Sequence, residues 1–374
     1  MKKVLLIGNK LLGDSIQSMP AVMYLRKIYP DTAFSFLGFR YSADVYRSGL
    51  RFEKEFFFDE YPVYRGGYAL LSLHLRRELY NAAVIFPGGF FAAAVSAAAG
   101  IPLRIGHNTD NRGFLLCSQC KKLILHRDQP NWKNFFNIAL CFEKEMKRNS
   151  GYFGKSEEKE EKERERGKNE LQKNTCELFN IDDLLLNSSN QIEKNAAEII
   201  AANMQKEGFK KYAVYSVKAS ESYKEWPVNR YSQLAAHLRE TKGFFPVFPG
   251  LPGDAELLKK AAESCGGLNL CGHFYFHDLI RIMRQSAFFA GNNSGLAHCA
   301  AMTGIPVLML SGAANHILTQ PWGKNVKVIY KSYTLSSGEI IPFWERALPK
   351  YRKTIKMSDI TYDEVLCAAK NLTK

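Results

Sequence analysis

The sequence predicts an α/β protein with two parallel-sheet domains. Three observations lead to this prediction. Short apolar runs of strand length alternate with helical patterns in both halves of the chain. The chain has 374 residues, which is long for a single domain. A highly charged tract without apolar residues separates the two alternating regions.

In the N-terminal half, the apolar runs predict buried strands, and the segments that link them carry apolar residues at helical spacing. After the first strand, for example, Ile16, Met19 and Val22 recur at this spacing. The predicted strands are 3–8, 33–38 and 82–87, and the predicted helices are 15–29 and 91–99.

We assign these elements to a first domain over residues 1–188, which includes a charged insert at about 154–173. The centre of this insert, 157–166, contains no apolar residue. It therefore has no face to bury, and we expect a solvated helix or a disordered segment without chemistry.

The second domain, over residues 189–374, repeats the alternation of strands and helices. Predicted strands lie at 212–217, 244–248, 268–271, 287–290 and 307–310. Predicted helices lie at 193–207, 231–240, 254–264, 276–285 and 295–303, with Asp254 as the cap of the third. We therefore expect two Rossmann-like domains with a ligand cleft between them.

Composition restricts the possible partners and compartments. The chain has 51 basic and 37 acidic residues, and its net charge of +14 favours an anionic partner. Because no nucleic-acid-binding motif is present, we expect no nucleic-acid partner. The longest apolar stretch, 90–103, is too short to span a bilayer. No signal-peptide pattern precedes the first strand, so we expect a cytoplasmic protein.

The eight cysteines are scattered, mostly in apolar contexts, which indicates reduced and buried thiols. Cys117 and Cys120 form a lone CxxC. A zinc site needs a second such pair or a nearby histidine pair, and neither is evident, so we predict no metal site.

The most informative segment, 288–301, runs from a buried strand through a polar turn into an alanine-rich helix. The first N–H groups of a helix lack partners within it, and the helix dipole adds positive potential there. Ser294 adds a hydroxyl, and Gly295 permits close approach of the backbone. The turn is therefore a candidate diphosphate site. An ordinary helix cap formed by asparagine or serine is the competing interpretation.

A second strand-to-helix loop, 216–227, contains Lys224 beside the pair Trp226-Pro227. A lysine in a loop held by an aromatic side chain can reach a phosphate group. A surface lysine next to a packed tryptophan explains this segment equally well on its own.

The first strand ends in a third polar loop, where Gly13 and Asp14 stand at the start of the first helix. Because ligands bind at the carboxyl ends of parallel strands, Asp14 is a candidate general base. It is also a candidate helix cap. The loop lacks GxGxxG, which argues against an NAD-dependent oxidoreductase.

In chain order, these segments resemble the signatures of the ADP-heptose:lipopolysaccharide heptosyltransferases. These are inverting glycosyltransferases of family 9 with the GT-B fold of two Rossmann-like domains. The resemblance is carried by Gly13-Asp14 with Pro20-Ala21, by Lys224-Glu225-Trp226-Pro227 and by 291–298. Further similarity at 86–87, 99–106, 112–116, 304–307 and 321–323 extends it over about 13–323.

The resemblance implies a metal-independent glycosyltransferase without a cofactor, whose co-substrate is a nucleotide sugar, ADP-heptose. Asp14 resembles the catalytic base. Gly13 and Arg112 are assigned to the acceptor, with Arg65 and Arg104 as weaker candidates. The residues assigned to the donor are Ser220, Lys224, His273, Asn293, Ser294, Gly295 and His298.

The implied acceptor is an anionic, lipid-linked saccharide of the lipopolysaccharide-core type. The protein would meet it as a peripheral protein at the inner face of the cytoplasmic membrane. Asn293 departs from the family, which usually has aspartate there, so the charge is lost while the size is kept. A related transferase with a different donor sugar and a non-catalytic nucleotide-sugar-binding homologue therefore stay open as alternatives.

Overall fold

The computed structural model describes residues 2–62, 66–117, 125–149, 196–272, 276–312, 314–333, 341 and 356–374. Contacts within the chain divide it into two compact units, Met1–Asn187 and Ser188–Lys374. Each unit contains one parallel sheet flanked by helices. The predicted α/β class with two parallel sheets is therefore confirmed.

The sheet of the first unit has five strands in the order β3-β2-β1-β4-β5. The strands are β1 (Lys3–Ile7), β2 (Ala33–Gly38), β3 (Glu55–Phe57), β4 (Ala82–Ile85) and β5 (Leu103–Gly106). The helices are α1 (Leu12–Ile28), α2 (Arg40–Gly49), α3 (Gly67–Arg77), α4 (Phe90–Ala98) and α5 (Asn131–Asn149).

The central strand of this sheet is β1, which pairs with β2 on one side and β4 on the other. Its apolar residues 4–7 are fully buried, as expected for a parallel strand covered on both faces. Helix α1 packs against α5, and the hydroxyl of Tyr24 donates to the carboxylate of Glu143 at 2.6 Å.

The sheet of the second unit has six strands in the order β11-β10-β9-β6-β7-β8. The strands are β6 (Lys211–Ser216), β7 (Phe244–Phe248), β8 (Leu268–Asn269), β9 (Phe288–Asn292), β10 (Val307–Ser311) and β11 (Val326–Tyr330). The helices are α6 (Ala196–Glu207), α7 (Val228–Lys242), α8 (Ala255–Glu263), α9 (Phe276–Gln285), α10 (Gly295–Met302) and α11 (Tyr362–Leu372).

Several predicted boundaries agree with these elements and others do not. The strands β2 and β7 and the helix α9 have the predicted bounds. Asp254 occupies the N-cap position of α8, but its carboxylate accepts a hydrogen bond from the N–H of Leu251 instead of capping α8. The charged insert at 154–173 lies outside the described residues, and so does Cys120 of the CxxC.

Among the helices that the structure describes, none combines the length and the apolar character needed to cross a bilayer.

Candidate functional site

Both predicted donor segments lie where the strand order of the second sheet reverses. Strands β6 and β9 are parallel neighbours, with Ser216 opposite Gly291. Strands β7 and β8 continue the sheet beyond β6, and β10 and β11 continue it beyond β9. At such a switch point the loops after the two central strands diverge and leave a crevice. The lysine loop (217–227, after β6) and the serine turn (293–295, after β9) therefore emerge side by side.

A buried asparagine, Asn292, joins the end of β9 to the lysine loop. Its side-chain oxygen accepts hydrogen bonds from the backbone N–H of Trp226 at 3.0 Å and from the hydroxyl of Tyr231 at 2.9 Å. Its Nδ2 donates to the carbonyl oxygen of Val217 at 2.5 Å. Since Val217 begins the lysine loop and Trp226 lies near its end, one amide group holds both ends.

Two further sets of contacts stiffen the lysine loop. The carboxylate of Glu225 pairs with the ammonium of Lys218 at 2.8 Å and accepts a hydrogen bond from the N–H of Ala219 at 3.2 Å. Trp226 is buried, and its indole N–H donates to the carbonyl of Ile360 at 2.8 Å. The loop is therefore closed on itself and anchored in the core.

Lys224 lies on this loop, in a short 3-10 helix, Ser222–Lys224. It is half-buried, and its ammonium lies 5.5 Å from the centre of the Tyr223 ring, a cation–π distance. Ser220 lies exposed on the same loop. The structure thus places Lys224 and Ser220 at the sheet edge expected for the donor, and their contact with a donor stays a prediction.

Ser294 occupies the N-cap position of α10, but its side chain makes no capping hydrogen bond. Its hydroxyl oxygen is buried and has no hydrogen-bond partner among the described residues. A buried hydroxyl without a partner costs about 1–3 kcal/mol. A phosphate oxygen bound at this turn would supply the partner, and the N–H groups that begin at Gly295 would face the same anion.

His298 lies in the same helix, α10, and is buried. Burial lowers its pKa to about 4, so the ring is neutral at pH 7. Its Nδ1 has no hydrogen-bond partner within the described part of the chain. His298 is therefore a neutral, packed side chain of α10, and its support of the donor site stays a prediction.

Asn293 is half-buried and turned toward β10. Its Nδ2 donates to the hydroxyl of Thr319 at 2.6 Å and to that of Ser311 at 3.3 Å. A hydroxyl can donate as well as accept a hydrogen bond. The hydroxyl of Thr319 already donates to the carbonyl of Asn315 at 2.8 Å, so a carboxylate at position 293 would have to displace that bond or rely on the hydroxyl of Ser311.

The predicted donor residue His273 lies outside the described residues. Within the described ranges, no group of three or more His, Cys, Asp and Glu side chains is placed to hold a metal ion. The metal-independent chemistry expected from the sequence stays a prediction.

Gly13 and Asp14 lie in the first unit, at the carboxyl edge of its sheet. Leu11 occupies the N-cap position of α1, so Asp14 lies within the first helical turn, and its interpretation as the helix cap is wrong. Asn9 holds the preceding loop in place. Its Nδ2 donates to the carbonyl of Asp14 at 3.1 Å, and its backbone N–H donates to the hydroxyl of Tyr46 at 2.8 Å.

Arg112 is fully buried in the first unit. Its guanidinium donates to the carbonyls of His107 at 2.9 Å and Gly89 at 3.0 Å, and also to that of Pro87. It therefore ties the loop after β4 to the loop after β5, and a direct contact with the acceptor stays a prediction. Arg104 likewise donates to backbone carbonyls, those of Leu115 and Ile101. Arg65 lies outside the described residues.

Sequence reasoning gave Asn292 no role, although it lies within the segment singled out for the donor. The available signal was an amide side chain at the end of an otherwise apolar strand. A buried polar group of this kind nearly always has hydrogen-bond partners. Those partners lie 61 to 75 residues away in the sequence, so only the tertiary structure identifies them.

Comparison with known proteins shows the family of this chain. The family described as glycosyltransferase family 9 (heptosyltransferase) matches residues 69–337. Two lipopolysaccharide heptosyltransferase 3 proteins of Escherichia coli, one from strain K12, are 26% and 28% identical over 120 residues. Each match covers 31% of this chain, and it spans 35% of the length of each curated relative.

Solved structures resemble the chain over nearly its whole length. ADP-heptose lps heptosyltransferase II of E. coli has a TM-score of 0.65 at 19% identity, covering 100% of this chain and 98% of that one. E. coli heptosyltransferase WaaC with ADP has a TM-score of 0.65 at 14% identity, covering 99% of both chains. The same enzyme with ADP-2-deoxy-2-fluoro heptose has a TM-score of 0.63. These similarities confirm the fold class, which is that of the GT-B heptosyltransferases.

Proposed function

This chain belongs to glycosyltransferase family 9, and we propose that it transfers a heptose from ADP-heptose to an anionic, lipid-linked acceptor of the lipopolysaccharide-core type. The observation that carries the proposal is the switch point of the second sheet, where Asn292 holds the lysine loop beside the serine turn. The two loops bring a cation, a buried hydroxyl and a helix N-terminus to one sheet edge, and each of the three can bind a diphosphate oxygen.

The choice of donor follows from these groups and from the relatives. Solved structures of WaaC, which have the same fold, contain ADP and a fluorinated ADP-heptose. In this chain, the diphosphate would contact the Lys224 ammonium, the Ser294 hydroxyl and the first N–H groups of α10. The buried hydroxyl of Ser294 would then gain the partner that the described residues do not provide.

The transfer forms one carbon–oxygen bond and breaks another, and a proton leaves the acceptor hydroxyl. An acceptor hydroxyl attacks the anomeric carbon of the donor sugar from the face opposite the diphosphate. The bond between that carbon and the phosphate oxygen breaks, and the configuration is inverted. Asp14, at the carboxyl edge of the first sheet, accepts the hydroxyl proton.

The leaving diphosphate gains negative charge as its bond to the sugar breaks. Lys224 and the positive end of α10 would stabilise that charge without a metal ion. The contacts that stiffen the lysine loop would limit the reorganisation of its backbone when Lys224 meets this charge.

A second candidate function rests on Asn293. Its amide donates to the hydroxyls of Ser311 and Thr319, where relatives usually have a carboxylate. An uncharged side chain beside the donor changes which sugar hydroxyls can be bound. A related transferase with another donor sugar is therefore the alternative.

The test is a thermal-shift screen of ADP, UDP and GDP sugars, followed by a transfer assay with deacylated lipopolysaccharide core, with and without EDTA. Stabilisation reports affinity for the folded state, so the matching base and sugar raise the melting temperature most. We expect ADP-heptose to stabilise the protein and transfer to persist in EDTA. A larger shift with another nucleotide sugar would favour the alternative donor, and binding without transfer would indicate a non-catalytic protein.

A further inference from the structure

The loop that follows β10 takes no part in the proposed chemistry. We call it the β10 loop, residues 314–322. Strands β9 and β10 are parallel neighbours, with Leu310 opposite Asn292. The serine turn follows β9 and the β10 loop follows β10, so both lie at the carboxyl edge of the second sheet, where parallel sheets bind their ligands.

Asn315 fixes the shape of the β10 loop. Its side-chain oxygen accepts hydrogen bonds from the N–H of Ile317 at 3.1 Å and from that of Leu318 at 3.0 Å. Its carbonyl oxygen accepts two more from Thr319, one from the N–H at 3.0 Å and one from the hydroxyl at 2.8 Å. These bonds hold the side chain of Thr319 in one orientation.

The hydroxyl of Thr319 determines how the amide of Asn293 is turned. A hydroxyl has one proton, and Thr319 gives it to the carbonyl of Asn315, which can only accept. Toward the side chain of Asn293, 2.6 Å away, the Thr319 oxygen can therefore only accept a hydrogen bond. The nitrogen is the end of the Asn293 amide that donates, so it must be the end that faces Thr319.

The oxygen of the Asn293 amide stays available at the serine turn. The amide nitrogen uses its two protons on the hydroxyls of Thr319 and Ser311. The amide oxygen makes no hydrogen bond to any described residue, and it is not buried. Position 293 therefore offers a ligand one acceptor atom without charge, directly before the buried hydroxyl of Ser294.

An uncharged acceptor atom selects among the parts of a nucleotide sugar. Phosphate oxygens are themselves acceptors, so the oxygen of Asn293 cannot bind them. A sugar hydroxyl has a proton to donate and carries no charge, and it therefore matches this atom. A ligand that covers the Asn293 oxygen without giving it a partner would bind less tightly, because the oxygen would lose its hydrogen bond to water.

We propose that Thr319 is a positioning residue for the donor sugar. It holds the nitrogen of Asn293 inward, so that the oxygen of Asn293 accepts a hydrogen bond from one hydroxyl of that sugar. This role rests on the proposed function, in which the diphosphate of a nucleotide sugar binds at the serine turn. Through Asn293, the β10 loop takes part in the choice of the sugar.

The test is calorimetry of the full-length protein with ADP-heptose and with ADP, in the absence of acceptor. The ratio of the two affinities separates the contribution of the sugar from that of the nucleotide. The variants are Thr319→Val, which keeps the shape and removes the hydroxyl, Thr319→Ser, which keeps the hydroxyl, and Asn293→Ala. The matched control is Thr303→Val, at a half-buried threonine whose hydroxyl donates to a carbonyl at the other end of α10. Melting curves establish that each variant is folded.

We expect the wild type, Thr303→Val and Thr319→Ser to bind ADP-heptose more tightly than ADP by the same factor. Thr319→Val should lower this factor by about twofold to tenfold, the range of one hydrogen bond between uncharged groups, and leave the affinity for ADP unchanged. Asn293→Ala should lower the factor equally. Thr319→Val added to Asn293→Ala should lower it no further, because the two residues act through one amide.

A factor that Thr319→Val leaves unchanged, or equal affinities of the wild type for ADP-heptose and ADP, would overturn the proposal. If Thr319→Val weakens the binding of both ligands alike, the β10 loop only supports the serine turn, and the assignment to the sugar is wrong. If Thr319→Val does not fold, an unchanged factor in Asn293→Ala would refute the sugar contact. A wild type that binds neither ligand would refute the proposed function itself, whereas an unchanged factor with normal ADP binding refutes only the role of Thr319.

Discussion

Replacement of Asn292 by aspartate tests whether one buried amide holds the lysine loop at the donor site. In the wild type, its oxygen accepts two hydrogen bonds and its Nδ2 donates one to the carbonyl of Val217. A protonated carboxyl group reproduces this pattern, since its O–H can replace the Nδ2 as donor. An ionised carboxylate cannot, because it would face the carbonyl oxygen of Val217 without a proton between them.

The size of the effect follows from burial. Asn292 is fully buried, and desolvation of a carboxylate costs several kcal/mol. The N–H of Trp226 and the hydroxyl of Tyr231 already bond the amide oxygen, so charge would add only about 1 kcal/mol to each bond. The pKa of the introduced carboxyl group is therefore expected to be raised in the folded state.

The sign of the pH dependence follows from that raised pKa. In the unfolded chain the carboxyl group ionises near pH 3.9, whereas in the folded protein it stays protonated to a higher pH. The stability of the variant is therefore fully present below about pH 4 and is lost as the pH rises, by about 1.4 kcal/mol per unit. Between pH 5 and 7 the variant should lose at most roughly 2.7 kcal/mol relative to the wild type, since the loss ends where the carboxyl group of the folded protein ionises.

Urea unfolding of both proteins at pH 5, 6 and 7 measures this difference, and calorimetry with ADP measures its consequence for donor affinity. The matched control is Asn293→Asp, the same change at the neighbouring position, where the hydroxyls of Ser311 and Thr319 surround a half-buried side chain. We expect a pH slope for Asn292→Asp and little for Asn293→Asp. Equal slopes in the two variants would refute the inferred role of Asn292.

Three further predictions concern the candidate site. Lys224→Ala should weaken ADP binding by about 1.5–3 kcal/mol, the range for hydrogen bonds to charged groups. The control Lys259→Ala, at an exposed lysine of the same unit, should leave ADP binding unchanged. Unchanged affinity of the Lys224→Ala variant in calorimetry would remove Lys224 from the site. Asp14→Asn should lower turnover by roughly 100-fold to 10,000-fold, because the amide cannot accept the hydroxyl proton. It should cost at most about 1 kcal/mol of stability, the size expected for a lost negative charge in the first turn of α1. Near-normal turnover would exclude Asp14 as the base. Burial lowers the pKa of both His107 and His298 to about 4, and the charge of Arg112 contributes at His107. The contribution of these neutral rings to stability is therefore fully present above about pH 6.5 and is lost as the pH falls toward 4. For each histidine, the loss is about 1.4 kcal/mol per pH unit. Urea unfolding at pH 7 and 5 should show a smaller loss for His298→Gln than for the wild type, and an equal loss would contradict the buried neutral state.

The alternation of strands and helices was predictable because it depends on local pattern. Apolar runs such as 33–38 and 244–248 have the length of strands buried on both faces, and the structure forms β2 and β7 over these residues. The start of α1 was harder to predict from the sequence. The prediction began it at residue 15, but the helix begins at Leu12. Its N-cap residue, Leu11, makes no side-chain capping hydrogen bond, so no standard cap marked the start in the sequence.

By itself, the sequence determined the fold class and the two segments of the second unit that are candidates for the donor. Both are properties of contiguous residues, namely an apolar strand followed by a polar turn and a helix start. Only the tertiary structure decided that Asn292 bonds the lysine loop and that the Arg112 guanidinium is buried between two loops. The physical reason is the parallel sheet. It brings strands such as β6 and β9 together although they lie far apart in the chain, so a side chain at one strand end finds partners that no local pattern specifies.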